Sequence, residues 1–576
     1  MDKTAKILVI AGVLALCGTA VAKKLYVPGQ YATIQAGIDA AVDGDTVIVG
    51  DGTYTGDGNR DIDFKGKVIT VRSENGAENC IVDCNGTEAE RHRGFRFGNS
   101  EDANSIVDGF TIINGYAQEE PFGSGWHSLG GAIFCNLSSP TVSNCVIKGN
   151  TARGGAGICC KESTATLNNC TVSMNYGFGF ASGRGIICFY SNPTISNCTV
   201  NGNEGGGILC ASGDPVITNC TVSYNEGSGI GCGWSNPTIA NCTIIFNKGE
   251  EGGGGISVSH GDATITDCNI SYNTNPEWDL GGIRLWWLSS ATISRCTIVG
   301  NSTFFGGGGI YCEESSNITI SDCVITGNYA QFGADGIDCE YSEAAVTNCI
   351  ISSNLGNGVG IYDSSKAVIN NCQISMNVGT GINGWWYSNA TIMNCIISGN
   401  MAGGIRWYRG RGTTTIANCT ISGNSGERAG GIYATDRSSI RVANCTINDN
   451  KTQRNGGGVW CDGDSNTVLT NCILWGNTPD QINGAGILTT YSDIQGGWVG
   501  QGNIDLDPWF VEAGYWDANG TPGDANDDFW VEGDYRLLEG SPCIDSGDPN
   551  YAAGPNETDL DGKARVIDGD EDGTAV

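Results

Sequence analysis

Ile195-Ser196-Asn197-Cys198-Thr199-Val200-Asn201-Gly202-Asn203 is one copy of a phrase that the chain states fourteen times. Each copy has Val, Ile or Leu three residues before its cysteine, Val, Ile or Leu two after it, and Asn five after it. The cysteines are Cys145, Cys170, Cys198, Cys220, Cys242, Cys268, Cys296, Cys323, Cys349, Cys372, Cys395, Cys419, Cys445 and Cys472, with a mean spacing of about 25 residues. Aliphatic alternation at period two after the cysteine predicts a short strand with one buried face. The three-residue step back to the earlier aliphatic breaks that parity, so the chain must bend there. The bend position is Asn in eleven copies, Asp267 and Asp322 in two, and Arg295 in one. Asn and Asp tolerate left-handed backbone, which suits a sharp corner.

A second phrase follows each Asn: glycines, then Ile, then a residue two later that is often Cys, as in Gly207-Ile208-Leu209-Cys210 and Gly309-Ile310-Tyr311-Cys312. It supplies a third strand. Three strands and three corners in about 25 residues describe one coil of a single-stranded parallel β-helix, an all-β solenoid whose coils hide their apolar faces only by stacking. A leucine-rich solenoid would need a Leu-x-x-Leu-x-Leu pattern, which is missing. Helical periodicity appears only weakly, around Ile34–Val42. The expected organisation is a signal peptide at 1–22, the cap and irregular first coils at 23–141, regular repeats at 142–495 and an acidic segment at 496–576.

Composition agrees with a solenoid and narrows its partners. Gly is 89 of 576 residues, roughly twice the ordinary share, and only 16% are charged. Lys and Arg number 30 against 62 Asp and Glu, for a net charge of −32, so the cationic field that nucleic acid or an anionic membrane requires is lacking. Lys3 and Lys6 before the apolar run Ile7–Cys17, with Ala20-Val21-Ala22 after it, read as a secretory signal. No later stretch is long and apolar enough to span a bilayer. Export invites a disulfide reading of the 27 cysteines. Fourteen fall in the column above and eight more in the glycine-led strand, where in-register side chains stand too far apart for relaxed bridges. These read as reduced core residues; Cys80 with Cys84, outside the columns, is the better disulfide candidate. His92, His127 and His260 have no zinc-ligand spacing.

Tyr31-Ala32-Thr33-Ile34-Gln35-Ala36-Gly37-Ile38-Asp39-Ala40-Ala41, with Gly44-Asp45-Thr46-Val47-Ile48-Val49 and Gly52-Thr53-Tyr54, resembles the opening of pectin-lyase-like right-handed β-helix proteins of exported bacterial type. The resemblance implies a helix capping the solenoid. Gly130-Gly131-Ala132-Ile133 is similar to a unit of the polymorphic outer-membrane protein repeat. Gly540-Ser541-Pro542-Cys543 and Thr558-Asp559-Leu560-Asp561-Gly562 resemble the ending of many such proteins. The fold hosts lyases, hydrolases, esterases and adhesins alike. The polygalacturonase-like Gly-His-Gly is replaced by Ser259-His260-Gly261, and the esterase-like Gly-x-Tyr-x-Glu lacks its acid at Gly56.

A site is sought on the outward positions of the glycine-led strand. One and three residues after the Ile stand Arg284 and Trp286, Tyr311 and Glu313, Asp338 and Glu340, Tyr362 and Ser364, Asn383 and Trp385, and Arg406 and Tyr408. The next position adds Trp234, His260, Trp287, Glu314, Tyr341 and Trp386. Rings that stack on pyranose faces, among acids and arginines, describe a polysaccharide-binding row. Alternatively the rings stack only on one another. Neighbouring acids can supply acid–base catalysis, which makes Glu313, Asp338 and Glu340 the candidate catalytic set. Loops feeding this strand vary from 5 residues (Asn203 to Ile208) to 11 (Asn175 to Ile186), and long ones such as Asn273–Ile283, with Trp278, are placed to wall a groove. Asp568, Asp570 and Asp572 resemble the start of a calcium loop. No other cofactor is implied. The expectation is a secreted or cell-surface monomer that binds polysaccharide, the alternatives being a polysaccharide lyase or glycoside hydrolase, or a structural adhesin rod.

Overall fold

The computed structural model describes residues 22–122, 125–177, 184–249, 253–276, 281–314, 316–410, 412–521, 528–552 and 558–563, apart from the side chains of 121–122 and 125–126. Three parallel sheets of nineteen, eighteen and seventeen strands run along one right-handed solenoid. In a representative coil Thr194–Ser196 belongs to sheet A, Thr199–Asn201 to sheet B and Ile208–Gly213 to sheet C. Equivalent residues pair in register: Ile195 lies between Leu167 and Ile217, and Cys210 between Cys188 and Cys232. The helix Ile34–Ala40, capped by the Thr33 side chain, buries Ile34 and Ile38 over the first coil. Among the described residues no helix is long and apolar enough to cross a membrane.

Each corner has its own physical solution. Between sheets A and B all fourteen bend residues, Asn144 to Asn471, hold φ between 52° and 56°, including Arg295. The cysteine that follows is more than small apolar filling. In every copy its Sγ–H donates to the carbonyl two residues back, at 3.0–3.4 Å across the corner. All 26 described cysteines are free thiols, 25 of them buried. Cys80 and Cys84 therefore form no bridge. They sit at positions i and i+4 of an extended segment, about 13 Å apart, with both side chains turned inward.

Between sheets B and C runs a buried column of fourteen asparagines, Asn150 to Asn477. Each Nδ2 but the last donates to the Oδ1 of the next coil's Asn at 2.8–3.1 Å. Its second hydrogen goes to a carbonyl of the preceding coil, as from Asn301 to Ile270 at 2.8 Å. Gly115 N–H closes one end of the column on Asn150, and Gln481 closes the other on Asn477. The sequence exposed the regularity of this Asn; the ladder is what demands it.

Within the regular repeats the inward column of sheet C also accommodates a large ring. Trp407 is fully buried because its neighbours in register are Gly384 and Ala434. Near the end the chain folds back on its own coils. Trp530 lies over Gly399 and Gly423, and Ser422 donates to Glu532 at 2.6 Å. The corner residues Asn418, Asn444 and Asn471 bond Thr558, Tyr551 and Asp548, each at 2.9 Å.

Two outcomes follow. Replacing Asn301 with Ala orphans the Asn273 backbone N–H and one of its side-chain amide hydrogens, and at ~1–3 kcal/mol for each unsatisfied group lowers stability by about 2 kcal/mol or more in chemical denaturation; an unchanged midpoint contradicts the ladder. Titration with a thiol reagent modifies at most the partly exposed Cys543 in the native protein, and the other described cysteines only on unfolding.

Candidate functional site

Sheet C and the corner after it carry the candidate residues, and the structure divides them into two rows. Arg284, Trp286, Tyr311, Asp338, Glu340, Tyr362, Asn383, Trp385, Arg406 and Tyr408 stand on the outer face of the sheet. Trp234, His260, Trp287, Glu314, Tyr341 and Trp386 form the corner row, with φ between 45° and 55°. That conformation costs a non-glycine residue roughly 1–2 kcal/mol, and Trp234 and Tyr341 remain 63% and 58% exposed. One register differs from the sequence reading. Val359, not Ile361, pairs with Ile337, so Tyr362 lies beside Glu340 and Ser364 falls in the corner. The Gly358-Val359-Gly360-Ile361 segment offers two aliphatic choices, and the short loop from Asn354 selects the first.

Side-chain contacts connect the rows. Trp234 stacks on His260, with centroids 4.6 Å apart, and His260 leans on Trp287 at 5.4 Å. Trp287 meets Trp286 at 4.1 Å, and the Arg284 guanidinium lies 4.4 Å from the Trp286 ring. Arg284 Nε donates to Glu313 Oε1 at 2.7 Å, and Nη2 bonds the same oxygen. Tyr311 O–H donates to Glu340 Oε2 at 3.0 Å. Further along, Trp385 meets Tyr408 edge-on at 5.1 Å, and Arg406 lies between the Trp385 and Tyr433 rings. Tyr433 stacks on Trp460 at 4.8 Å.

Loop length turns part of this face into a cleft. In three successive coils the long B-to-C loops pair as a small parallel sheet of Thr274–Asn275, Ser302–Phe305 and Tyr329–Phe332. Trp278 lies outside the described residues. The next three loops, from Asn354, Asn377 and Asn400, shrink to five residues. At this step opens a cleft of about 370 Å³ lined by Gly333, Glu340, Asn357, Tyr362, Asp363, Asn383, Trp385 and Trp386. Asn357 and Asn383 both donate to the Tyr362 hydroxyl at 3.3 Å. Burial raises the Asp363 carboxyl above its ordinary range, against a lowering by its bond from Tyr341.

Of the three acids singled out in the sequence, only Glu340 lines the cleft. Glu313 is held by Arg284. Asp338 has no exposed surface; its Oδ2 accepts from Ala334 N–H at 2.8 Å, and its Oδ1 is buried without a partner. Burial first, then Glu340, pushes its pKa well above the carboxylate range. Burial, then Glu313 and Glu340, raises the Tyr311 hydroxyl above the ordinary tyrosine range. Asp363 and Asn357 were not singled out. Asp363 was within reach, since it stands in the corner column of Tyr341 and Trp386; Asn357 and Gly333 sit in loops with no periodicity to mark them. Asp568, Asp570 and Asp572 lie outside the described residues. Among the described residues no group of three or more His, Cys, Asp or Glu is arranged to hold a metal ion.

The fold and this outward-lined sheet define a right-handed parallel β-helix protein. The family described as the right handed beta helix region matches residues 130–275, 250–347 and 335–496, and the chain belongs to that family. The right-handed β-helix reading of the chain is borne out by this match. No curated protein matches the sequence. Among solved structures, the A-module of Azotobacter vinelandii mannuronan C-5 epimerase AlgE6 is 13% identical, over 75% of this chain and 94% of that one, with a TM-score of 0.29. PfbA, a surface adhesin of Streptococcus pneumoniae, is 13% identical over 80% and 89%, with a TM-score of 0.23. A Yersinia enterocolitica family 28 exopolygalacturonase is 10% identical over 68% and 76%, with a TM-score of 0.28.

The Arg284–Glu313 pair is largely buried, with 11% and 13% of the side chains exposed. Arg284→Met alone strands the Glu313 charge and destabilises by about 3 kcal/mol, whereas Arg284→Met with Glu313→Leu recovers most of that loss. Denaturation of the single and double variants checks this; additive losses mean that the pair is screened by solvent.

Proposed function

We propose that the protein binds an extended polysaccharide along the outer face of sheet C, outside the cell or at its surface. The cleft beside Trp385 and Trp386 carries this reading. Its two indoles are 38% and 48% exposed, and they stand next to Glu340, Asp363, Tyr362 and Asn383. Flat apolar faces for sugar rings and convergent acceptors and donors for hydroxyls are what such a ligand requires. Contacts among rings and charges continue through ten coils, from Trp234 to Trp460, about 43 Å at ~4.8 Å per coil. That length suits a polymer better than a small molecule.

A second reading, hydrolysis or elimination on the same polymer, is favoured by one observation: Glu340 and Asp363 both border the cleft. They are the acids placed to act on a ligand there, with Asp338 and Glu313 behind them.

Affinity electrophoresis against a panel of neutral and acidic polysaccharides tests the first reading. Trp385→Ala and Trp386→Ala each weaken binding about tenfold, the loss of roughly 1.4 kcal/mol of stacking, while Tyr224→Ala, at a different corner, leaves it unchanged. No binding by the parent defeats the proposal and leaves the structural rod. Product formation that stops in Glu340→Gln selects the second reading.

A further inference from the structure

One segment of the cleft wall is fastened in an unusual way. The loop Tyr329–Gly336 contributes Gly333 to the cleft and is clasped by two carboxyls three residues apart. Asp335 Oδ1 accepts from Ala330 N–H at 2.9 Å, and Asp338 Oδ2 accepts from Ala334 N–H at 2.8 Å. Both acids are buried, at 2% and 0% exposure, and Asp338 Oδ1 has no partner. Glycines make the fit. A Cβ at Gly356 would collide with Asp335 Oδ2, and one at Gly333, where φ is +123°, would stand 2.6 Å from Asp338 Oδ2.

The groups facing these carboxyls are acidic or neutral. The preceding coil presents Tyr311 and Glu313, the same strand presents Cys339 and Glu340, and the following coil presents Tyr362 and Asn357. Arg284, two coils away, is bonded to Glu313. A negative charge on either aspartate is thus placed in a dry site with no cation beside it, where the backbone N–H groups of Ala330, Asn357 and Ala334 offset only part of the cost of burial. Two protonated carboxyls avoid that cost and still accept from the loop amides.

We propose that the Tyr329–Gly336 loop is a proton-latched wall, held against the cleft while Asp335 and Asp338 are neutral and released as they ionise. The proposal deepens the polysaccharide reading by giving its cleft a regulator, and rests on that reading only for the ligand. Burial lifts Asp335 to about 6 and Asp338 further. Because the folded loop binds these protons more tightly than an open one, the closed wall is favoured in full below the ordinary carboxylate range. It begins to weaken as pH rises above ~3.9, and it keeps losing ground through about 6 and beyond.

Hydrogen exchange of the ligand-free protein tests the latch. After correction for intrinsic exchange, protection of the Ala330 and Ala334 amides falls between about pH 5 and about pH 7.5, by up to about tenfold per pH unit for each ionising group. Protection in Gln373–Ser375, in sheet B beyond the cleft, stays level. In Asp335→Asn and Asp338→Asn, which keep a neutral acceptor, the fall shrinks, and in the double variant it disappears. A level profile in the parent overturns the latch, and needs no variant to fold; an undiminished fall in the double variant overturns it too. Polysaccharide affinity measured at the same two pH values separates the two ideas. A pH-dependent wall without binding defeats the polysaccharide reading alone, and a pH-dependent wall with unchanged affinity defeats regulation of the cleft.

Discussion

A coil of this kind must take its backbone through the interior side of a corner without stranding peptide groups in apolar surroundings, and the asparagine ladder is how it does so. A primary amide has two donors and an acceptor able to take two hydrogen bonds. Each rung uses all of them: one hydrogen to the preceding coil, one to the next amide, and an oxygen that receives both the amide and the backbone N–H of the rung before. Glutamine is too long for the step and aspartate lacks the donors. The other regularities, including the β-strand registers and the free variation of loop length beyond each rung, depend on this column staying in line.

The three corners differ in how plainly they can be read. The A-to-B bend was legible because Asn and Asp advertise left-handed backbone, and the fold followed from it. The other two corners are left-handed as well, yet they carry Tyr224, Phe246, Tyr272, Trp234, Trp287 and Trp386, residues that local preference would keep away. Stacking offsets part of the strain: Tyr224, Phe246 and Tyr272 lie nearly parallel at 5.0 and 5.2 Å. Such a stack covers ring faces and offers edges to solvent, which is why an aromatic column alone does not identify a binding surface. The Cys ladder was also only half legible. Its burial followed from periodicity, but its bond to the corner carbonyl depends on the path of the bend, which no periodicity states.

In the candidate site, strand alternation told which side chains leave the sheet. It could not tell which of them reach solvent. That depends on the loops of neighbouring coils, whose lengths are written in the sequence but whose paths are not. Asp338 and Glu340 look equivalent by parity; the Gly333–Ala334 segment seals one and leaves the other at the cleft. Exposure of the outward side chains on this scaffold is therefore a property of steps between adjacent loops, while the row of side chains beneath runs through several coils.

The returning C-terminal segment gives the solenoid a ruler. Between Trp530 over Gly399 and Gly423, Thr558 on Asn418, Tyr551 on Asn444 and Asp548 on Asn471, a segment of fixed length is matched to a fixed number of coils. Upstream, among the described regular repeats, coils bond their immediate neighbours, as the asparagine column does, so a whole repeat can be gained or lost without disturbing more distant ones. Within the strapped coils the same event would put every one of these attachments out of phase. Variation in the length of such a protein should therefore accumulate before Gly399, leaving the strapped end constant as the rest grows or shrinks.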